Sequence, residues 1–377
     1  MSHEAPAEED VQGAKRAVVA GGGVVGLTTG LAVGRAGFET LVCEQDPEIR
    51  GVGAALGLWA NALAVFDRLG AGETIRAAGV PSGIRYQDPA GQVVDEYYGD
   101  LADVDYVVLT RQRLNELLAE ALGPDHLRTG AQVTGYRDHD EGVVVELADG
   151  TAIDAVLLVG ADGVYSRVRE QLSPGETARE HPGHLAWRGI VAESAIPEIT
   201  VERYVIGRER TRGGVVRSGG GTVFWVIAQL KAPPVNGSGK GEALARVPHL
   251  YNGGWPFAPR EAIEATPEDR VVRNRVLYVP RQHRWVSRHV ALAGDSAHAG
   301  SPHITSGASL GIEDAAVLAD LLTAHPDVPG ALQAYEADRV PRYAEVHRWA
   351  DQVADAADEP HVYAKEFFDI IRWMLGR

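Results

Sequence analysis

Val18-Val19-Ala20-Gly21-Gly22-Gly23-Val24-Val25-Gly26 is the stretch whose reading decides the fold. A short valine-bearing run ends in Gly-x-Gly-x-x-Gly and continues into Leu27-Thr28-Thr29-Gly30-Leu31-Ala32, a pattern that predicts strand, tight turn and helix. In such an arrangement Gly21 permits the turn and Gly23 lets a pyrophosphate approach the backbone. Gly26 lets the helix pack closely on the strand, while unpaired N–H groups at the helix start face the anion. Phe38-Glu39-Thr40-Leu41-Val42-Cys43 reads as a second strand, delivering Glu44 about 20 residues after the fingerprint, where an acceptor for ribose hydroxyls is expected. The spacing points to an adenine dinucleotide with a free ribose diol. A glycine fingerprint alone is weak in a chain with 44 Gly, and an ordinary strand-to-helix connection competes with it. Strand, helix and Glu44 together favour the nucleotide.

A second segment lies late: Gly294-Asp295-Ser296-Ala297-His298, followed by Pro302, Gly307 and Glu313-Asp314-Ala315. It follows an apolar strand, Val290 to Ala293, and precedes a stretch of strong helical character from Ala308 to Leu322. The two distant segments are predicted to hold one ligand. Between them, Ala62 to Leu69 reads as an amphipathic helix stopping at Gly70, and Arg111 to Leu122 as another helix. Gly83 to Gln87 and Gln92 to Tyr98 flank the turn signal Asp88-Pro89-Ala90-Gly91 as a hairpin. Three β-rich runs follow, Gln132–Tyr136, Val143–Leu147 and Ala155–Val159, the last apolar throughout and ending in Gly160-Ala161-Asp162-Gly163. Asp162-Gly163 reads equally as a ligand loop or as a turn and helix cap. A second β-rich excursion spans about 184–275, including Leu185–Val191 and Thr222–Ala228, with Lys231–Gly241 expected as a mobile loop.

With 377 residues, 45% hydrophobic and 23% charged, the chain is long enough to bury a large core. A formal charge of −16 argues against broad attraction to nucleic acid or anionic membrane and favours small-molecule chemistry. The single cysteine, Cys43, excludes an intrachain disulfide and any multi-cysteine metal site; no metal is expected. Residues 1–15, with Glu4, Glu8, Glu9 and Asp10, read as a mobile acidic leader rather than a targeting segment. No apolar run reaches membrane-spanning length, so a cytoplasmic location is expected, as monomer or homodimer. Lysine occurs only at Lys15, Lys231, Lys240 and Lys365, a bias toward arginine that suggests a GC-rich bacterial genome.

Fingerprint with Glu44, Asp162-Gly163, and Gly294-Asp295 with Pro302 and Gly307 occur in that order. Together they resemble the single-component FAD-dependent aromatic hydroxylases, flavoprotein monooxygenases with the para-hydroxybenzoate hydroxylase fold, from residue 16 to about 345. Arg50 with Gly53 to Leu58, Arg111, and Tyr335-Glu336 with Arg339, Pro341 and Arg342 add weaker likenesses. Ala55, Ala60, Ser306 and Ser309 depart from residues usual there. The resemblance implies an α/β fold: a Rossmann-like FAD-binding domain (16–80, 103–176 and 276–345), an inserted, mostly antiparallel β-sheet substrate domain (81–102 and 177–275), and a C-terminal helical segment (346–377). It assigns Gly21, Gly23 and Gly26 to the pyrophosphate, Glu44 to the adenosine ribose, and Val133 to the adenine neighbourhood. Arg111 falls to the diphosphate–ribityl region, Asp295 to a ribityl hydroxyl, and Asp162 to a link with nicotinamide binding. Val25, Gln45, Arg50, Ala54, Pro302, Gly307, Ala308 and Ser309 complete the implied cofactor contacts. The implied reaction is reduction of FAD by NADPH or NADH, capture of O2 as the flavin C4a-hydroperoxide, and hydroxylation of a phenolic or polycyclic aromatic molecule.

His303, beside Pro302 in the expected flavin-facing loop, is a candidate base, since neutral imidazole accepts a proton near physiological pH; a loop histidine bonded to backbone is the competing reading. Trp187, Phe224 and Trp225 are candidates for an aromatic substrate pocket, against simple core, and Arg188 for a substrate anion, against an exposed arginine. Pro302 and His303 would also touch substrate. Val362 to Met374 reads as an amphipathic helix packed on its own chain. Alternative chemistries on the same FAD fold are epoxidation, Baeyer–Villiger oxidation or oxidative decarboxylation. Halogenation is disfavoured because Trp187, Trp225 and Trp255 lack the Trp-x-Trp-x-Ile-Pro neighbours. A redox-silent FAD-binding relative is the remaining alternative.

Overall fold

The valine-bearing run forms the strand Arg16–Ala20, central in a five-stranded parallel sheet ordered Val290–Leu292, Leu157–Gly160, Arg16–Ala20, Glu39–Cys43, Leu127–Arg128. Ala17, Val18 and Val19 are fully buried, as a parallel strand covered on both faces requires. The helix Val24–Arg35 follows and packs against Glu39–Cys43, the helix Arg111–Leu122 and the late helix Gly307–Ala324. The computed structural model describes residues 15–51, 54–97, 105–199, 202–234, 236–255, 257–300 and 302–376. The expected leader, apart from Lys15, and the resemblance at Gly53 lie outside them.

The apolar run expected as one strand, Ala155–Val159, divides at Val156. Ala152–Ala155 completes an antiparallel meander with Val133–His139 and Gly142–Leu147, and Leu157–Gly160 enters the parallel sheet. A seven-stranded sheet carries the second excursion, ordered Val272–Tyr278, Arg179–Ala192, Thr222–Gln229, Thr211–Arg217, Glu202–Ile206, Ile84–Gln87, Val93–Tyr97. The expected hairpin supplies its last two strands, joined through a parallel pairing of Ile84–Gln87 with Glu202–Ile206.

Register across this large sheet sorts its side chains onto two faces. Arg188, Val226, Gly214, Tyr204 and Tyr86 are successive partners in one row, while Trp187, Ile227, Gly213, Val205 and Gln87 form the adjacent row of opposite parity. The Trp187 face is covered by short helices, Gly239–Leu244, Val247–Leu250 and Pro259–Ala265, which close a core of Trp187, Trp225, Ile227, Leu250 and Ile263. The first of these helices begins inside the segment expected as a mobile loop, capped by Ser238 Oγ accepting from Gly241 N at 3.1 Å.

Downstream of the late helix, one helix runs from Val328 to Asp355 with Pro341 in its interior, so the boundary expected after residue 345 falls within it. The amphipathic C-terminal helix Pro360–Leu375 buries Tyr363, Phe367, Phe368, Ile371 and Met374, with Phe367 packing edge-on to Tyr86 at 5.1 Å. Among the described residues, no helix is long and apolar enough to cross a membrane.

Candidate functional site

The three fingerprint glycines occupy three different environments. Gly21 has φ +102°, and a Cβ there would lie 2.4 Å from the Ala161 carbonyl oxygen. A Cβ on Gly26 would lie 1.8 Å from the Gly21 carbonyl oxygen, so the helix seats directly on the turn. Gly23 faces open space, with nothing within 4 Å of an added Cβ, and stands at the start of Val24–Arg35, where no side chain caps the free N–H groups. Turn, packing and open cradle are thus separated by residue, and the cradle suits a phosphate group. Beside it, a recess of about 700 Å³ is lined by Gly21, Glu44, Gln45, Val133 and Asp162. Glu44 accepts from Gly22 N at 2.6 Å and from Asp46 N at 2.8 Å. Asp162 caps a helix through Oδ2, accepting from Arg167 N at 2.7 Å, while its buried Oδ1 has no partner. Burial pushes its carboxyl above the ordinary range. Both readings of Asp162-Gly163 are therefore visible at once: a cap, and a lining residue with a spare acceptor.

A larger cavity of about 970 Å³ adjoins this recess and shares Gly23, Ala161 and Gly163 with it. Its wall brings Val25, Arg50, Ala54 and Arg111 from the first third of the chain against Asp295, Pro302, Gly307 and Ala308 from the last. Val25 is the joint between them: a Cβ on Gly294 (φ +63°) would meet Val25 Cγ2 at 2.8 Å, and one on Gly311 would meet it at 2.4 Å. The late helix starts at Gly307 with no capping side chain, so a second set of free N–H groups opens on the same cavity. Gly26 and Ser309 do not line it; Ser309 is fully buried and its Oγ has no partner among the described residues. Thr305, in the loop before this helix, holds φ +49°, an uncommon conformation for a β-branched residue and of the kind that concentrates at ligand sites.

A buried ionic cluster fastens the late segment. Asp314 is fully buried and accepts from Gly294 N at 2.9 Å, His298 Nε2 at 2.5 Å and Arg339 Nε at 2.7 Å. Burial alone would raise its carboxyl, but His298 and Arg339 hold it well below the carboxylate range. Glu313 pairs with Arg342 at 2.7 Å and accepts from Asn61 Nδ2 at 2.6 Å. His298 lines the cavity with its ring stacked on Tyr343 at 4.2 Å, and its bond to Asp314 makes it a fastening residue.

On the large sheet, Arg188 and Phe224 line the cavity, whereas Trp187 and Trp225 do not. The aromatic pair is corrected by strand parity: both indoles point into the helix-covered core, where Trp187 Nε1 donates to Glu242 at 2.9 Å and Trp225 Nε1 to Thr266 at 2.8 Å. His303 is corrected as well. The turn Pro302–Ile304 presents Pro302 and Ile304 to the cavity and sends the imidazole behind the wall, 1% exposed, with Nδ1 3.3 Å from Tyr363 Oη. Burial, reinforced by Arg212, drives its pKa well below the usual imidazole value, and the ring does not line the cavity. Residues missed by sequence reading include Tyr86, Tyr204 and Arg212, which share the Arg188 face of the sheet. Alternation through Thr211-Arg212-Gly213 and the hairpin was the available signal.

The family model described as FAD binding domain matches residues 15–350. Aurachin C monooxygenase/isomerase of Stigmatella aurantiaca is 34% identical over 332 residues, covering 86% of this chain and 85% of that protein. The 3-amino-4-hydroxybenzoate 2-monooxygenase of Streptomyces platensis is 33% identical over 359 residues, covering 88% of this chain and 86% of that protein. Among solved structures, Klebsiella pneumoniae HpxO complexed with FAD and uric acid is similar in fold, with TM-score 0.82, 24% identity, and coverage of 95% of this chain and 93% of that one.

Proposed function

Given that the chain belongs to the FAD-binding-domain family and is an FAD-dependent monooxygenase, we propose that it uses NADPH or NADH and O2 to hydroxylate an aromatic small molecule. The observation carrying this reading is the seating of Val25 between Gly294 and Gly311, which opens two uncapped helix starts on one cavity. We assign the pyrophosphate to Gly21, Gly23 and Gly26, the adenosine to Glu44, Gln45 and Val133, and the diphosphate–ribityl region to Arg50, Ala54, Arg111 and Asp295. Pro302, Gly307 and Ala308 would border a flavin ring bound in the cavity, with Ser309 supporting the helix start from behind. Asp162, with its spare buried acceptor, is assigned to the side where the nicotinamide reductant docks. Bound FAD supplies the hydride acceptance and O2 activation that the side chains cannot.

The chain's own contributions are positional and electrostatic. N–H groups at the uncapped start of Gly307–Ala324 open on the cavity and would favour negative charge developing on a flavin held there. The apolar wall of Leu56, Phe224, Val226 and Ile304 keeps water from the reacting centre. With His303 removed from the wall, the reading assigns no side-chain base. The test is direct: purified protein carries noncovalent FAD, consumes NAD(P)H faster with an aromatic substrate, and transfers one ¹⁸O atom from ¹⁸O2 into product. NAD(P)H oxidation with no labelled product across a broad aromatic panel would overturn the hydroxylation.

A further inference from the structure

We propose that the substrate is an extended aromatic molecule of at least two fused rings, lying along the large sheet with its outer ring between the Ala186–Ala228 pair and Ala350. The proposal rests on the monooxygenase reading above and narrows it to a substrate class.

On the Arg188 face of the strands Arg179–Ala192 and Thr222–Gln229, the cross-strand pairs shrink in one direction. Ile190 pairs with Phe224, then Arg188 with Val226, then Ala186 with Ala228. Pairs on one face recur every second residue, so these three cover about 14 Å of sheet. The bulky end is closed: Phe224 shares the cavity wall with the buried Tyr86 and Tyr106, and Phe367 of the C-terminal helix packs edge-on to Tyr86. The small end is open. On the Ala186 side the lining continues through His181 and Tyr278, whose rings are in contact, to Arg281, which is exposed.

A second element lines the cavity over a similar length. The helix Val328–Asp355 turns Tyr343, Val346, His347, Ala350 and Asp351 to it, a stripe at helical spacing about 12 Å long. Ala350 is the smallest residue of that stripe, and Asp351 is exposed. His347 feels the charges of both Asp351 and Arg281, which places these two exposed residues around one mouth. Alanine thus stands at three wall positions supplied by two strands and a helix, between a closed aromatic end and a polar opening.

A site that shields a reacting centre is ill served by a water-filled passage to the surface. A single ring seated beside Val226 would leave the Ala186–Ala228 step wet. A second flat ring fills that step, buries the alanine methyl groups and closes the passage, with its outer edge at the polar mouth. The cofactor contacts assigned above, Pro302, Gly307 and Ala308, lie on a loop and a helix start and leave the sheet floor to the substrate.

The experiment uses full-length protein carrying FAD. Phenol, 4-tert-butylphenol and 2-naphthol are titrated, following the flavin difference spectrum and, in parallel, the ligand-induced shift in Tm. The last two have equal numbers of carbon atoms, so a compact and an elongated shape are compared at similar apolar area. 2-Naphthol binds at least ~10-fold more tightly than phenol and at least ~3-fold more tightly than 4-tert-butylphenol. In Ala228→Phe and, separately, in Ala350→Phe, the advantage of 2-naphthol over phenol falls below about 3-fold, while FAD content and the ligand-free Tm stay at wild-type values because the added ring enters empty volume. 4-tert-Butylphenol binding as tightly as 2-naphthol, or an unaltered advantage in both variants, overturns the proposal. A lower Tm in both variants, with phenol and 2-naphthol weakened alike, identifies these alanines as packed core and overturns it too. Transfer of ¹⁸O from ¹⁸O2 is read separately: size preference without labelled product sinks the hydroxylation alone, and labelled product without size preference sinks this proposal alone.

Discussion

Asp314→Asn tests whether the late segment is held by charge rather than by packing alone. The substitution is nearly isosteric, so the surrounding volume is unchanged, but it removes the carboxylate that meets Gly294 N, His298 Nε2 and Arg339 Nε together. An asparagine oxygen satisfies one or two of these donors, and its NH2 group must then face another donor. Arg339, 4% exposed, keeps only Glu313 at 3.3 Å as a buried counter-charge. Breaking one side of a buried ion pair destabilises by about 3–5 kcal/mol. At roughly 2 °C per kcal/mol for a chain of this size, Tm falls by about 6–10 °C. The loss is pH-dependent with a definite sign. The folded carboxyl is depressed, so its contribution is fully present above the unfolded value of about 3.9 and is lost as pH falls further toward the folded value. Wild type and variant therefore differ fully at pH 7 and converge in strong acid. The assay is thermal unfolding of the two proteins, with Arg339→Met and the double variant completing a cycle; the double variant should be less destabilised than the sum of the singles by at least ~1 kcal/mol. A Tm within about 2 °C of wild type at pH 7, or additive single effects, would refute the reasoning.

Gly26→Ala, whose Cβ meets the Gly21 carbonyl oxygen at 1.8 Å, should lower Tm even without FAD, whereas Gly23→Ala, with nothing within 4 Å, should leave the apoprotein's Tm unchanged and weaken FAD binding in a fluorescence titration. Asp295→Ala should lose FAD retention through gel filtration, and unchanged affinity would reject its assignment to the cofactor. His184, pushed down to about 3 by burial and then by Arg212, is neutral when folded. The unfolded chain therefore takes up the proton first, and the stability His184 contributes is complete above about pH 6.5 and falls by about 2 kcal/mol between pH 6.5 and 5. Urea unfolding at those two pH values should show a shallower dependence in His184→Asn, and an identical slope would reject the effect. Cys43, buried and with its thiol raised to about 11 chiefly by burial, should resist thiol reagents in native protein and react only after unfolding.

What the sequence discloses, and what it withholds, follows the distance over which the deciding contact acts. The fingerprint is legible because Gly21 and Gly26 are decided by each other, five positions apart, and the clash between them is local. The C-terminal helix is legible for a similar reason, since Tyr363, Phe367, Ile370, Ile371 and Met374 recur at helical spacing on one buried face. That two distant segments meet is readable from the order of the motifs. The means of meeting is not, because Val25, Gly294 and Gly311 carry no mutual signal until the chain has folded. The large sheet shows the limit most clearly. Alternation requires Trp187 and Arg188 to face opposite ways, and likewise Phe224 and Trp225, so an aromatic pocket built from Phe224 and Trp225 together conflicts with the strand assignment itself. Alternation does not say which face is wet; helices at 239–265 decide that by covering the tryptophans. Side-chain volume supplies the missing sign. The row bearing Arg188 is flanked by Ala186 and Ala228 on one side and by Ile190 and Phe224 on the other, while the other parity carries Trp187, Trp225 and Ile227. A face that packs against helices needs bulk to fill the interface, whereas a face that receives a ligand must leave volume empty. By that argument, the small residues on one side of a mid-strand charge mark a face with volume left empty, and the indoles of the opposite parity mark the face that the helices cover.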